Sequence, residues 1–167
     1  MSPKTSENLK AAFAGESQAH MKYLAFADKA AKEGFKNVAK LFTAIAFAEK
    51  VHATNHHRVL YGGESTMKNL ETAIGGEDYE VKEMYPAFKA AAEAENQTSA
   101  VQSMYFALEA EKIHSVMYGK AKKAVKAGKD IQIGDIYICE VCGHTVEGHA
   151  PDKCPVCNAK KEKFRKF

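Results

Sequence analysis

The sequence predicts a mainly α protein: an antiparallel four-helix bundle followed by a small C-terminal domain of β-structure and metal knuckles. Three observations carry this expectation. Between residues 5 and 127 the apolar positions step alternately by four and three, the rhythm of a helix face turned toward other helices. A helical hairpin occurs twice, at an offset of 62 residues. All four cysteines, Cys139, Cys142, Cys154 and Cys157, follow that helical stretch as two Cys-x-x-Cys pairs.

The elements follow in order. Thr5 or Ser6 caps a first helix, which Gly34 ends. A second runs from about Asn37 to Tyr61 and stops at Gly62-Gly63. The connection from 62 to 76, with MKNLETAIGG, carries a short helix. A third long helix covers Glu77 to Glu95 and a fourth Thr98 to Ala127, with Gly128 as its stop. Beyond Gly134 the pattern becomes DIYICEVCG, β-prone and rich in turns. The expected domains are therefore 1–130 and 134–167.

The repeat is visible in particular residues. A shift of 62 places Tyr23, Ala25 and Phe26 on Tyr85, Ala87 and Phe88, and Ala48-Glu49-Lys50-Val51-His52 on Ala110-Glu111-Lys112-Ile113-His114. Two such hairpins make an antiparallel bundle.

Composition narrows the function classes. The formal charge is +3 with lysines scattered along the chain, which disfavours nucleic acid as the main partner. No apolar run approaches the ~20 residues of a membrane span. MSPKTSENLK lacks the apolar core of a secretory signal, so a cytoplasmic location is expected. In that compartment paired cysteines point to metal, not to disulfides.

Charge on the seam is the informative feature. The second helix's stripe runs Val38, Phe42, Ile45, Glu49, His52, His56, Val59. The fourth helix's runs Ala100, Met104, Ala107, Glu111, His114, Tyr118, Ala121, Val125, and the first helix's runs Leu9, Phe13, Glu16, His20, Tyr23, Ala27. A buried unpaired carboxylate costs several kcal/mol, so one Glu-x-x-His would ordinarily be a surface pair. Two of them, related by the repeat and joined by Glu16, Glu77 and Glu80, call for a divalent metal pair as counter-charge. Bundle proteins with di-iron or di-manganese centres use a Glu from each of two helices and a Glu-x-x-His from each of the other two. Residues three apart share a helix face, so carboxylate and imidazole reach adjacent metals.

The third helix does not fit the repeat strictly. The 62-residue shift maps Glu16 onto Asp78 instead of Glu77, and Pro86 lies just downstream. The sequence therefore predicts a local bulge between Glu77 and Tyr85 that absorbs a one-residue slip. His20 maps to Lys82 and reads as structural, His56 as core or as a neighbour of the ligands, and His57 as solvated.

In the tail, CEVCGHTVEGHAPDKCPVC gives four thiolates from two knuckles, a tetrahedral cage suited to zinc or a single iron. Tyr137 and Phe164 form an apolar wrap around it, and His144 and His149 read as exposed loop residues.

Taken together, AGESQAHMKY, AEKVH, GGEDYEVKEMYP, AEKIH and CEVCG…CPVC resemble, in order and over essentially the whole chain, the rubrerythrin family. The resemblance implies a ferritin-like bundle with a di-iron site (two irons per chain) fused to a rubredoxin-like Fe(Cys)4 domain, zinc or manganese being possible substitutes. It implies Glu16, Glu49, Glu77 and Glu111 as ligands, Glu49 and Glu111 bridging. His114 would hold one iron, while His52 and Glu80 compete for the other, iron moving toward His52 on reduction. Tyr23 and Tyr85 would place hydroxyls near the carboxylates, with core packing as the alternative for both. The implied activity is a peroxidase reducing hydrogen peroxide to water, fed by an electron-donor protein (a rubredoxin or an NAD(P)H-linked reductase), for oxidative stress protection. The implied assembly is at least a homodimer, the tail of one chain serving the bundle of another across the short linker 128–135. The alternative is a ferritin-like ferroxidase for iron storage or detoxification, with a structural zinc ribbon.

Overall fold

The computed structural model describes all 167 residues as two compact units, Met1–Glu64 and Ser65–Phe167. The first unit is a hairpin of α1 (Pro3–Lys32) and α2 (Lys36–Tyr61). Ser2, not Thr5 or Ser6, is the N-cap: its hydroxyl accepts from the Thr5 amide at 3.2 Å, and Pro3 occupies the first helical position, where no amide is needed. At the other end Gly34 (φ +88°) turns the chain, with Gly34 N–H donating to Ala31 O and Phe35 N–H to Ala30 O.

Small residues set the closeness of this hairpin. Ala27, Ala30, Ala46 and Ala53 are its buried positions, and His20 Nδ1 donates to Ala46 O at 2.7 Å. His20 is thus a structural tie between the two helices. The larger seam residues expected in the core behave differently: Val38, Ile45 and Val59 are 44%, 41% and 63% exposed. Two helices share one contact line, and alanines occupy it, so a hairpin by itself has no second layer to cover the adjoining stripe. Tyr23, Phe26 and Phe42 form an aromatic cluster at ring separations of 5.5–6.2 Å.

The second unit begins earlier than the sequence suggests. Ser65 caps α3 (Thr66–Tyr79), accepting from the Lys68 amide, and Gly75-Gly76 lies inside that helix. The expected short helix and the start of the third long helix are therefore one element. A π-helical turn, Glu80–Met84, leads directly into α4 (Tyr85–Ala94). The Tyr85 amide donates to Glu80 O, five residues back, and the next residue is Pro86, which has no amide to give. This is the bulge the slip in the repeat demanded.

Asn96 (φ +57°) closes α4 with Asn96 N–H donating to Glu93 O and Gln97 N–H to Ala92 O. That is the Gly34 geometry 62 residues later, so the repeat extends to the turn. The unit's last helix, α5 (Thr98–Lys126), ends in the same motif at Gly128 (φ +68°).

The C-terminal module is a three-stranded antiparallel sheet of order β2-β1-β3: β1 (Ile136–Cys139), β2 (Thr145–Glu147) and β3 (Phe164–Lys166). Ile138 pairs with Thr145 on one side, and Cys139 with Phe164 on the other. Cys139, Cys142 and Cys154 are its buried core, with Phe106 of α5, Val156 and Phe164 packed against them. The module therefore lies against the α5 of its own chain, where the short linker was expected to send it to another. No helix is long and apolar enough to cross a membrane.

Candidate metal centres

Two carboxylate–histidine triads stand one in each unit. In the first, Glu16 of α1 and Glu49 and His52 of α2 bring their ligand atoms within 4.8 Å of one another. His52 Nδ1 lies 2.8 Å from Glu49 Oε2 and 4.0 Å from Glu16 Oε1. The i, i+3 spacing sets the first distance, and the alanine contact line brings Glu16 close enough for the second.

In the second triad, Glu77 of α3 meets Glu111 and His114 of α5 within the same 4.8 Å. His114 Nδ1 is 2.6 Å from Glu111 Oε2 and 3.9 Å from Glu77 Oε2. Asp78, the residue the strict repeat would turn inward, accepts from Lys82 Nζ and Ser115 Oγ, each at 2.6 Å, and these bonds hold its carboxyl below the usual range. Glu77 is thus the member of the pair that joins the triad.

The electrostatics of the second triad describe a site short of positive charge. Glu77 Oε2 is buried with no hydrogen-bond partner. Burial, with the Glu111 carboxyl beside it and Glu80 beyond, pushes its carboxyl up to about 8. Burial first and Glu111 second also raise Glu80, which lies outside the triad but in its field. The Tyr85 hydroxyl is raised by burial and by Glu80, Glu111 and Glu77, which places it among the same acids. Tyr23, its partner in the repeat, is instead part of the Phe26–Phe42 cluster. A cation at the triad would satisfy the orphaned oxygen and remove the cause of the raised carboxyl. The donor set of hard oxygens with one imidazole suits iron or manganese.

The four cysteines form the third group. All are free thiols; Cys139 Sγ stands 3.6 Å from Cys157 Sγ, and Cys142 Sγ stands 3.5 Å from Cys154 Sγ. These separations far exceed a ~2.05 Å disulfide. They approach the ~3.8 Å edge of a tetrahedron built on ~2.3 Å metal–sulfur bonds. Burial raises the Cys142 and Cys157 thiols. At Cys154 burial is outweighed by the Cys157 and Val156 amides and by the neighbouring thiols, so its thiol is lowered. A metal ion would settle the competition by deprotonating all four.

One contact to the second triad has no signal in the sequence. Thr145, the only buried polar side chain at 4% exposure, sits 2.8 Å from His114 Nε2 through its Oγ1, and that hydroxyl donates to Gly143 O at 3.1 Å. His114 Nε2–H therefore donates to Thr145, and Nδ1 is the ring nitrogen that faces Glu111 and Glu77. No spacing signal connects residues 31 apart across a linker. His144 is a correction: it is half-buried, edge-on to Phe164, and burial lowers its imidazole, because the β1–β2 turn folds its ring over the apolar wrap. His149 is exposed as expected. His56 is half-buried, and His57 is exposed on α2 beside the rings of Phe13 and Tyr61.

Comparison with known proteins agrees with both halves of this picture. Residues 7–122 match the family model described as rubrerythrin, and residues 137–165 match that of the rubrerythrin rubredoxin-like domain. The chain is similar to rubrerythrin-2 of Clostridium acetobutylicum, with 39% identity covering 98% of this chain and 96% of that one. It is similar to nigerythrin of Nitratidesulfovibrio vulgaris at 35% identity, covering 98% and 86%. Among solved structures, nigerythrin in its mixed-valence and fully reduced, all-ferrous states aligns with a TM-score of 0.56 at 35% and 34% identity, again over 98% of this chain and 86% of that one.

Proposed function

Since the chain belongs to the rubrerythrin family of oxidoreductases with a di-iron site and a rubredoxin-like Fe(Cys)4 site, we propose that it reduces hydrogen peroxide to water, drawing electrons through its cysteine module. The observation that carries this reading is the His114 imidazole. One ring nitrogen faces the Glu77–Glu111 carboxylates, and the other is hydrogen-bonded to Thr145 of the module that holds the four thiols. A storage protein has no use for a redox module coupled to a carboxylate site.

In this reading Glu16, Glu49 and His52 of the first triad and Glu77, Glu111 and His114 of the second, with Glu80 beside it, would hold the iron. Bound iron would supply the electrons that divide the O–O bond. The protein's own groups do the rest. Glu49 fixes His52, and Glu111 and Thr145 fix His114, so ring orientation is set before metal arrives. The Tyr85 hydroxyl stands among these carboxylates with its proton retained, and is the group placed to hand a proton to a departing oxygen. The electron donor is a separate protein linked to NAD(P)H, and the working assembly is a homodimer or larger.

Metal analysis and one spectroscopic cycle test the reading. Purified protein is expected to hold two irons in the carboxylate centre and one in the thiolate cage, with a visible Fe–thiolate band that bleaches on anaerobic reduction. Stoichiometric hydrogen peroxide should restore the band in one rapid phase. Restoration by dioxygen but not by peroxide would instead support the ferroxidase reading, and colourless zinc-only protein from iron-replete cells would overturn the electron-inlet role.

A further inference from the structure

The chain's positive charge is not evenly spread over its modules. Residues 151–167 hold six cations against Asp152 and Glu162, while the preceding 150 residues hold 18 cations against 19 acids. Within the segment, Lys153, Lys160, Lys161, Lys163 and Arg165 are exposed, and none has a carboxylate within 4.0 Å. Only Lys166 is paired, with Asp135 at 2.7 Å.

The backbone places these cations around the thiolate cage. Lys153 and Lys160 bridge one another on either side of the Cys154–Cys157 knuckle, held by Cys154 N–H donating to Ala159 O. Lys163 adjoins the first knuckle, its carbonyl accepting from the Glu140 amide. Between them lie Cys157, the one thiol that is not fully buried, the exposed Pro155, and Val141 at 51% exposure. The arrangement is an apolar window onto the cage with a rim of unpaired ammonium groups. Glu140, Asp152 and Glu162 are the acids on this face, and they are outnumbered.

We propose that this rim is the docking face for an acidic-surfaced, one-electron donor protein. Paired lysines would merely solubilise the tail; unpaired ones crowded around a redox cage repel one another unless a partner supplies the counter-charge. A rim of one sign around an apolar centre steers encounter and leaves the contact itself short-lived, as repeated electron delivery requires. Each encounter oxidises the donor by one electron and takes the cage from ferric to ferrous. The inference rests on the cage being the electron inlet.

The test is stopped-flow reduction of the oxidised, iron-loaded full chain by a reduced plant-type ferredoxin, an acidic one-electron donor. The second-order rate constant should fall about tenfold or more between roughly 20 and 500 mM salt. At low salt the combined substitution Lys160→Gln, Lys161→Gln and Lys163→Gln should lower it by about tenfold. The same loss of charge at Lys29, Lys32 and Lys36 of the first unit should change it less than about twofold. The substituted side chains are exposed, and an intact visible band that excess dithionite bleaches completely confirms an assembled cage in every variant. A salt-independent rate, or equal losses in the two triple variants, overturns the docking face. So does direct reduction by NADPH alone with the same lysine dependence, which would assign the rim to nucleotide phosphates. If the band bleaches with ferredoxin as expected but peroxide fails to restore it, the docking face stands and the peroxidase reading falls.

Discussion

Glu77 turns inward an oxygen that is buried with no hydrogen-bond partner. Its carboxyl is raised to about 8 from a model-peptide value near 4.5. A group raised on folding contributes stability that is complete below the unfolded value and is lost as pH rises through the folded one. Metal-free protein should therefore lose stability between about pH 4.5 and 8, by up to a few kcal/mol. Thermal denaturation of chelated protein across that range measures it. Iron should abolish the slope, since the metal takes the proton's place, and Glu77→Gln should flatten it without metal. Thr145 makes a second residue-scale prediction. Thr145→Val removes the acceptor of His114 Nε2–H and should weaken metal binding roughly ten- to hundredfold, with Thr145→Ser restoring it. Titration of the metal-free protein followed by its absorbance reads this directly. Unchanged affinity in the valine variant would show that the bond is incidental.

At the level of elements, the π-helical turn decides which acid reaches the metal. Each residue of a helix rotates the chain by about 100°, so a single inserted residue exchanges the roles of neighbours. Deleting Val81 should convert Glu80–Met84 to ordinary α-helix and change the facing of the residues on one side of it relative to the other. Metal content should drop while α5 and its helicity persist; full metal occupancy in that variant would remove the turn from the account. The sequence disclosed much of this. The repeat exposed Glu49, His52, Glu111 and His114, and its failure at Glu77 exposed the bulge. It was silent on the start of α3, because Gly75-Gly76 reads as a breaker while tertiary contact with α5 keeps it helical. In the α2 seam, alanines make the contact with α1, while Val38 and Ile45 lie on the adjoining stripe. Periodicity finds a helix's apolar stripe, but only packing decides which edge of it is used. Thr145 was out of reach for a related reason: a side-chain hydrogen bond between modules leaves no periodic trace.

Across the whole molecule, iron loading should follow chemistry and not chain order. The thiolate cage binds soft and borderline metals, so zinc competes there, whereas the carboxylate triads favour iron or manganese. Protein made in zinc-rich, iron-poor medium should keep iron or manganese at the triads, hold zinc in the cage and lose its red colour, with reduction by ferredoxin abolished. Elemental analysis with the visible spectrum distinguishes this from simple under-loading. The two triads, alike in sequence, also differ in how firmly their imidazoles are held. His114 is clamped by Glu111 and Thr145 and is 29% exposed, while His52 has Glu49 alone within hydrogen-bonding distance and is 53% exposed. Chelators should consequently strip the two positions at different speeds, the His52 side first. A protein caught between those phases would carry one resident ion and one vacancy, and refilling it with a different metal would yield a heterobimetallic centre of defined order.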